Sequence, residues 1–214
     1  MVLNKGLTMK YLSKPIVLML IWIISFGVSG ADSPPAQDAI SIQKNVLFTQ
    51  LEGLDVIQEG ANGATHRVYV FFDANCYYCQ LTWRALQYYE KVGLQVRWVP
   101  VAYQQPSSIG RAAAIMQAPD RVSALRENET HYAAAQYNGG IRPATEVTDL
   151  LKAQFLANTQ LMNKFGAPGT PLLVWKDVQG NVQINVGVPR LSELPVITGL
   201  PLQVIKGREF EEFK

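Results

Sequence analysis

Two cysteines stand in the chain, Cys76 and Cys79, and they stand together as Cys-Tyr-Tyr-Cys. A dithiol at this spacing can close to a disulfide and open again. Its chemistry runs through a thiolate that attacks a disulfide sulfur, forms a mixed disulfide, and is then displaced by the second thiol. A structural role explains the pair poorly, because closing so short a loop removes little unfolded-state entropy. Zinc fits poorly as well. A closed site would have to recruit His66 and His131, the only histidines, and neither stands at zinc-finger spacing. No metal and no cofactor is therefore expected beyond the Cys76/Cys79 disulfide itself.

Several elements must position the pair. Residues 66–73 carry the run Val68-Tyr69-Val70-Phe71-Phe72, all β-formers, and read as a buried strand. Residues 79–92 read as a helix with Leu81, Ala85, Leu86 and Tyr89 on one side and Gly93 as its stop. Cys76 thus lies where a helix begins, and there the unpaired N–H groups and the helix dipole favour a thiolate. Cys79, one turn further in, would be the resolving thiol. Asp73 closes the strand just before the dithiol, and is either a proton acceptor or relay for Cys79 or a cap or surface charge. Tyr77 and Tyr78 are candidates for an aromatic rim that meets substrate, while Trp83 reads as core. Far downstream, Thr170-Pro171 follows a glycine-rich breaker cluster and opens a strand. A cis peptide is cheap before proline, and such a turn would bring the Thr170 backbone beside Cys76 to pair with an extended substrate.

The remaining segments complete a fold. Residues 94–102 read as a second strand, which makes strand–helix–strand with a right-handed crossover. Residues 106–166 read as mainly helical, with helices expected over 112–116, 122–137 and 145–165. Two further strands, 172–176 and 182–187, flank a Gln179-Gly180-Asn181 turn, and a short helix is expected over 191–198. The order β-α-β, helical insert, β-β-α is that of a thioredoxin-like α/β fold with a helical insertion. Upstream, residues 38–51 have helical spacing, and Gly53 and the Gly60-Ala61-Asn62-Gly63 cluster mark loops. The expected organisation is a signal segment over 1–30, a tail and linker helix over 31–65, the thioredoxin-like domain over 66–205 with its insert at about 106–166, and a solvated charged tail over 206–214.

The signal reading rests on Lys5, Lys10 and Lys14, the apolar stretch 16–24, and the small residues Gly27, Ser29, Gly30 and Ala31. Cleavage after Gly30 or Ala31 would export the protein. The apolar stretch is short for a membrane span, which needs about 20 residues. The chain carries 19 Lys plus Arg against 17 Asp plus Glu, and losing the three leader lysines leaves 16 against 17. Near-neutrality without a basic aromatic run excludes a nucleic-acid reading. About 183 residues then remain, 48% of the whole chain being apolar, enough for one full core.

The stretch Tyr69-Val70-Phe71-Phe72-Asp73 leading into Cys76-Tyr77-Tyr78-Cys79 resembles the active-site stretch of the DsbC/DsbG group of periplasmic thiol:disulfide interchange proteins. The similarity extends over about 68–194, and includes Ala112-Ala113-Ala114, Asn163 to Gly166, Thr170-Pro171 and Val186-Gly187-Val188-Pro189. By position, the resemblance implies Cys76 as nucleophile, Cys79 as resolving thiol, and Thr170 with Pro171 as the cis-proline pair. It implies reduction or isomerisation of disulfides in cysteine-containing exported proteins, and for DsbG-like members reduction of sulfenylated cysteines. A DsbD-type membrane reductase is the implied electron donor. Two departures stand out. Tyr77 occupies the position that usually holds Pro or Gly, which leaves open a DsbA-like dithiol oxidase. The group's N-terminal dimerisation domain has no counterpart here, so a monomer is expected. A non-catalytic envelope-assembly module is the remaining alternative.

Overall fold

The computed structural model describes residues 36–214; the expected signal segment and the start of the tail lie outside them. A five-stranded sheet organises the chain in the order β1-β3-β2-β4-β5. At its centre β2 (His66–Asp73) pairs in parallel with β3 (Leu94–Val101), the two joined by helix α2 (Tyr77–Glu90). Strand β4 (Leu172–Lys176) runs antiparallel to β2, and β5 (Val182–Val186) antiparallel to β4. The central strand is apolar without strict alternation because both its faces are covered. Val68, Val70 and Phe72 face the core beneath α2, and Tyr69 and Phe71 face the opposite core with Leu47 and Leu51 of helix α1 (Ala36–Glu52).

The helical region between β3 and β4 holds α3 (Ser108–Gln117), α4 (Arg121–Thr130) and α5 (Asp149–Lys164). Buried residues of α3 and α4 join the core under α2, whereas Leu161 and Met162 of α5 join the core that α1 covers. The short α6 (Leu194–Thr198) packs back against β2. This arrangement is thioredoxin-like with a helical insertion. Among the described residues no helix is long and apolar enough to cross a membrane.

Three local expectations are corrected. Residues 57–60 form an edge strand, β1, antiparallel to β3. Its inward positions are Ile57 and Glu59, and a buried carboxylate hides the alternation that would mark a strand. The helix expected to Tyr137 stops at Thr130. The chain then turns through Tyr137 at φ 50 and bridges Ala133 to Asn138, while α5 waits for the Thr148 cap, whose hydroxyl accepts the Leu151 N–H. The charged tail is not simply solvated. Phe210, within the 3-10 segment Arg208–Phe213, is buried in the main core, and Glu209 pairs with Arg84 of α2.

Candidate active site

Strand β2 delivers the chain to the sheet's end, where the Cys76 N–H donates to the Asp73 carbonyl at 2.9 Å and turns it into α2. Cys76 is the N-cap of α2, with extended backbone angles (φ −83, ψ 115), and its sulfur accepts the Cys79 N–H at 3.3 Å. The sulfur therefore takes the place of an N-cap oxygen, where negative charge is favoured. The Cys76 thiol is pulled down to about 7, first by its hydrogen bond with Cys79, then by the side chains of Thr170 and Gln104, against the penalty of burial. Burial pushes the Cys79 thiol well above the usual range, and the neighbouring Cys76 sulfur adds to the effect. The pair is thus split into one sulfur ready to ionise and one held as a proton-bearing thiol. Both cysteines are buried, and the exposed groups nearby are Tyr78 (52%) and Tyr103 (44%).

The Thr170–Pro171 peptide is cis, and the Thr170 carbonyl accepts the Cys76 S–H at 3.5 Å. The turn that leads into β4 thereby places a backbone carbonyl against the reactive sulfur. Tyr77 packs at 5.7 Å from Tyr78 and at 6.1 Å from Tyr132, ring centre to ring centre, so the first residue between the cysteines leans on the insert. Trp83 is half-buried rather than fully in the core, and its indole N–H donates to Glu59 at 3.1 Å.

Asp73 is fully buried, and both its carboxylate oxygens are engaged. One accepts the Asn75 N–H at 2.9 Å and the Ser108 hydroxyl at 2.7 Å; the other accepts the backbone N–H groups of Tyr103 at 2.8 Å and Gln104 at 3.0 Å. A carboxylate with four donors is a clamp that ties the dithiol turn to the loop after β3 and to α3.

Sequence reasoning missed three residues here. Asn75 donates its side-chain amide to Ser107 at 3.1 Å and Ser108 at 3.0 Å. Its own carbonyls accept from Gly139 and Tyr132. Glu129 of α4 is fully buried, and burial pushes its carboxyl up to about 8 with the Cys76 charge adding to the shift. Gln104 donates its side-chain amide to the Thr170 hydroxyl at 3.0 Å. Polar residues in loops and on an insert carry no periodic signal, so only the folded arrangement brings them to the dithiol. His66 starts β2, at the opposite end from Cys76, and His131 pairs with Glu127. Among the described residues no cluster of three or more His, Cys, Asp or Glu side chains could hold a metal ion.

A dithiol at the first strand–helix junction, opposed by a cis-proline turn, defines a thioredoxin-like dithiol protein. The solved structures agree on the fold. A periplasmic thioredoxin-like protein from Salmonella enterica serovar Typhimurium superposes with a TM-score of 0.58 at 22% identity, over 72% of this chain and 95% of that one. The thiol-disulfide exchange protein alpha-DsbA2 from Wolbachia pipientis gives 0.55 at 16% identity, over 76% and 96%. Within that class the chain is similar in sequence to DsbG and DsbC. It is 27% identical over 154 residues to the thiol:disulfide interchange protein DsbG of Pseudomonas aeruginosa, covering 72% of this chain and 59% of that protein. It is 30% identical over 139 residues to DsbC of Haemophilus influenzae, covering 63% and 56%. The chain thus spans somewhat over half the length of these curated relatives. No protein-family model matches it.

Proposed function

We propose that this protein is an exported thiol:disulfide interchange enzyme of the periplasm, which reduces or isomerises disulfides in other exported proteins through Cys76 and Cys79. The observation that carries this reading is the division of the dithiol: Cys76 caps α2 with its sulfur on the Cys79 N–H, and Cys79 is sealed beneath it.

In reduction, the Cys76 thiolate attacks one sulfur of a substrate disulfide. A Cys76–substrate S–S bond forms, the substrate S–S bond breaks, and the second substrate sulfur leaves as thiolate and takes a proton. Cys79 then loses its proton and attacks the Cys76 sulfur. The mixed disulfide breaks, the Cys76–Cys79 disulfide forms, and two electrons have passed to the substrate. In isomerisation a substrate thiolate performs the second attack and Cys76 is returned unchanged. A sulfenylated substrate cysteine would react at sulfur with Cys76 in the same way, its oxygen leaving as water. The Thr170 backbone beside Cys76 would hold the substrate segment in extended form. The oxidised pair would be recharged by a dithiol donor of the DsbD type.

Our choice of the reducing direction rests on how far the thiolate is favoured. Strong oxidants have a reduced form stabilised by thiolates ionising near 3.5, whereas about 7 is typical of reducing dithiols. Cys76 at about 7 supports the reducing direction over a DsbA-like oxidase.

The test is insulin reduction by the purified protein with a thiol donor, together with thiol trapping in cells. Reduction lost in Cys76→Ala, mixed disulfides accumulating in Cys79→Ala, and a mostly reduced pair in vivo are the expected results. A pair found mostly oxidised would transfer the protein to the oxidative pathway. No reduction and no mixed disulfides would leave a binding module.

A further inference from the structure

We propose that β5 is the seam of a homodimer: two copies of this chain pair their β5 strands antiparallel about a two-fold axis through Ile184, which joins their sheets into one.

Strand β5 is the outermost strand of the sheet, bonded to β4 on one side. The Gly187 N–H donates to the Pro171 carbonyl at 2.8 Å and the Asp177 N–H to the Asn181 carbonyl at 3.0 Å, so inward-bonding positions recur at every second residue between them. Gln183 and Asn185 thus bond to β4, and Val182, Ile184 and Val186 turn their N–H and carbonyl groups outward. Among the described residues no backbone group pairs with those outward groups. The other edge, β1, is packed against α4 and flanked by residues 118–122. Natural edge strands left open usually carry a charge, a proline or a bulge. Strand β5 has none of these, reading Val-Gln-Ile-Asn-Val in unbroken register with β4.

That sequence argues for a second copy as the occupant. By class it reads the same from either end: β-branched, amide, β-branched, amide, β-branched. A two-fold axis at Ile184 sets Ile184 opposite the partner's Ile184 and Val182 opposite the partner's Val186. These are the outward-bonding positions, so every such pair exchanges both of its backbone hydrogen bonds. Gln183 falls opposite the partner's Asn185, amide against amide, and no charge meets a like charge. The β-branched side chains share the α1 face of the sheet, where Val182 is buried and Val186 is 48% exposed. So short a seam is small for a stable dimer, and α1 enlarges it. Its Ile40, 55% exposed, and Lys44 flank the same cavity as Val182, so each Ile40 comes beside the partner's Val186. A dimer departs from the monomer expected from the sequence, because the symmetry of residues 182–186 matters only once that strand is an open edge.

The test is sedimentation velocity of the purified protein over a range of concentrations, with melting temperature recorded for each variant. The parent should pass from monomer to dimer as concentration rises. Gln183→Lys combined with Asn185→Lys sets like charges opposite each other twice, and should raise the dissociation constant by about tenfold or more. Gln183→Lys combined with Asn185→Glu sets opposite charges across the seam, and should restore the dimer. In the parent itself, amide exchange at Val182, Ile184 and Val186 should slow as concentration rises, which keeps the test open if a variant fails to fold. A parent that stays monomeric at near-millimolar concentration overturns the proposal, whatever else pairs with this edge. A dimer on which the two double variants act alike overturns it too. Strand β5 runs toward the dithiol end of its own sheet, so antiparallel pairing puts the two Cys76 sites at opposite ends. Both double variants should therefore keep parental Cys76 alkylation, and loss of the dimer would leave the interchange reading standing.

Discussion

The Gly139 N–H donates to the side-chain oxygen of Asn75 at 3.0 Å, joining the insert to the residue immediately before the reactive cysteine. Around that bond, Tyr132 donates its hydroxyl to the Asn75 carbonyl at 2.8 Å and Asn128 donates its amide to the Ala74 carbonyl at 2.9 Å. The turn from β2 to α2 is thus held from outside the thioredoxin-like elements. Its shape, and with it the position of Cys76, depends on the insert staying docked.

Gly139→Ala tests that dependence. A Cβ at this position would collide with the Asn128 side chain and the Ala74 carbonyl, and neither is the free end of a flexible side chain. Overpacking of this kind costs about 1–3 kcal/mol. The expected outcome is a lower denaturation midpoint together with altered Cys76 alkylation, because the displaced groups hold the dithiol turn. Wild-type stability and reactivity would show that the insert does not constrain the site.

Asp73→Asn distinguishes a clamp from a proton relay. The substituted amide presents N–H where one carboxylate oxygen now accepts, leaving buried donors from Tyr103 and Gln104, or from Asn75 and Ser108, facing another donor. Losing buried charge-assisted hydrogen bonds in this way costs about 1.5–3 kcal/mol for each bond not remade. A clamp predicts a large fall in melting temperature in the oxidised and reduced protein alike. A relay predicts near-normal stability with slowed resolution of mixed disulfides by Cys79, read by quenched-flow trapping.

Much of this was legible in the chain, for physical reasons that differ by residue. The strand 66–73 announces itself because a central strand covered on both faces must be apolar throughout, and the dithiol follows it at a fixed remove. Thr170-Pro171 is visible because proline after a glycine-rich turn restricts the backbone locally. Glu59 concealed β1 because its inward carboxylate, satisfied by the indole N–H groups of Trp83 and Trp98 and by Arg126, breaks the pattern that marks an edge strand. Phe210 sits among charged neighbours in sequence, and only folding shows it filling the core beside Arg84. Gln104, Asn75 and Glu129 acquire their roles through long-range contacts, which no local pattern encodes.

The reactivity of Cys76 should follow its own ionisation. With the thiol at about 7, alkylation at this residue should rise about tenfold per pH unit below pH 6 and level off above pH 8. Cys79, held up by burial, should remain unmodified over the same range. A profile still rising steeply at pH 9 would mean that the helix end and the surrounding donors leave the sulfur unperturbed.

Stability should carry the imprint of Glu129, whose carboxyl burial raises to about 8. An unfolded glutamate releases its proton near pH 4.3, roughly. Between those values the folded state holds a proton that the unfolded state has lost, so stability must fall as pH rises. The contribution is whole below about pH 4.3 and is gone once the pH has passed through about 8. Glu90, also raised to about 8 by burial and by the charge of Glu59, acts in the same direction. Glu129→Gln keeps the shape and the acceptor for the Asn128 amide, and removes the charge. Its melting temperature should exceed that of the parent at pH 8.5 and approach it at pH 5. An equal difference at both pH values would mean that Glu129 is not buried as a neutral acid, and that its carboxylate finds a cation or water in the folded protein.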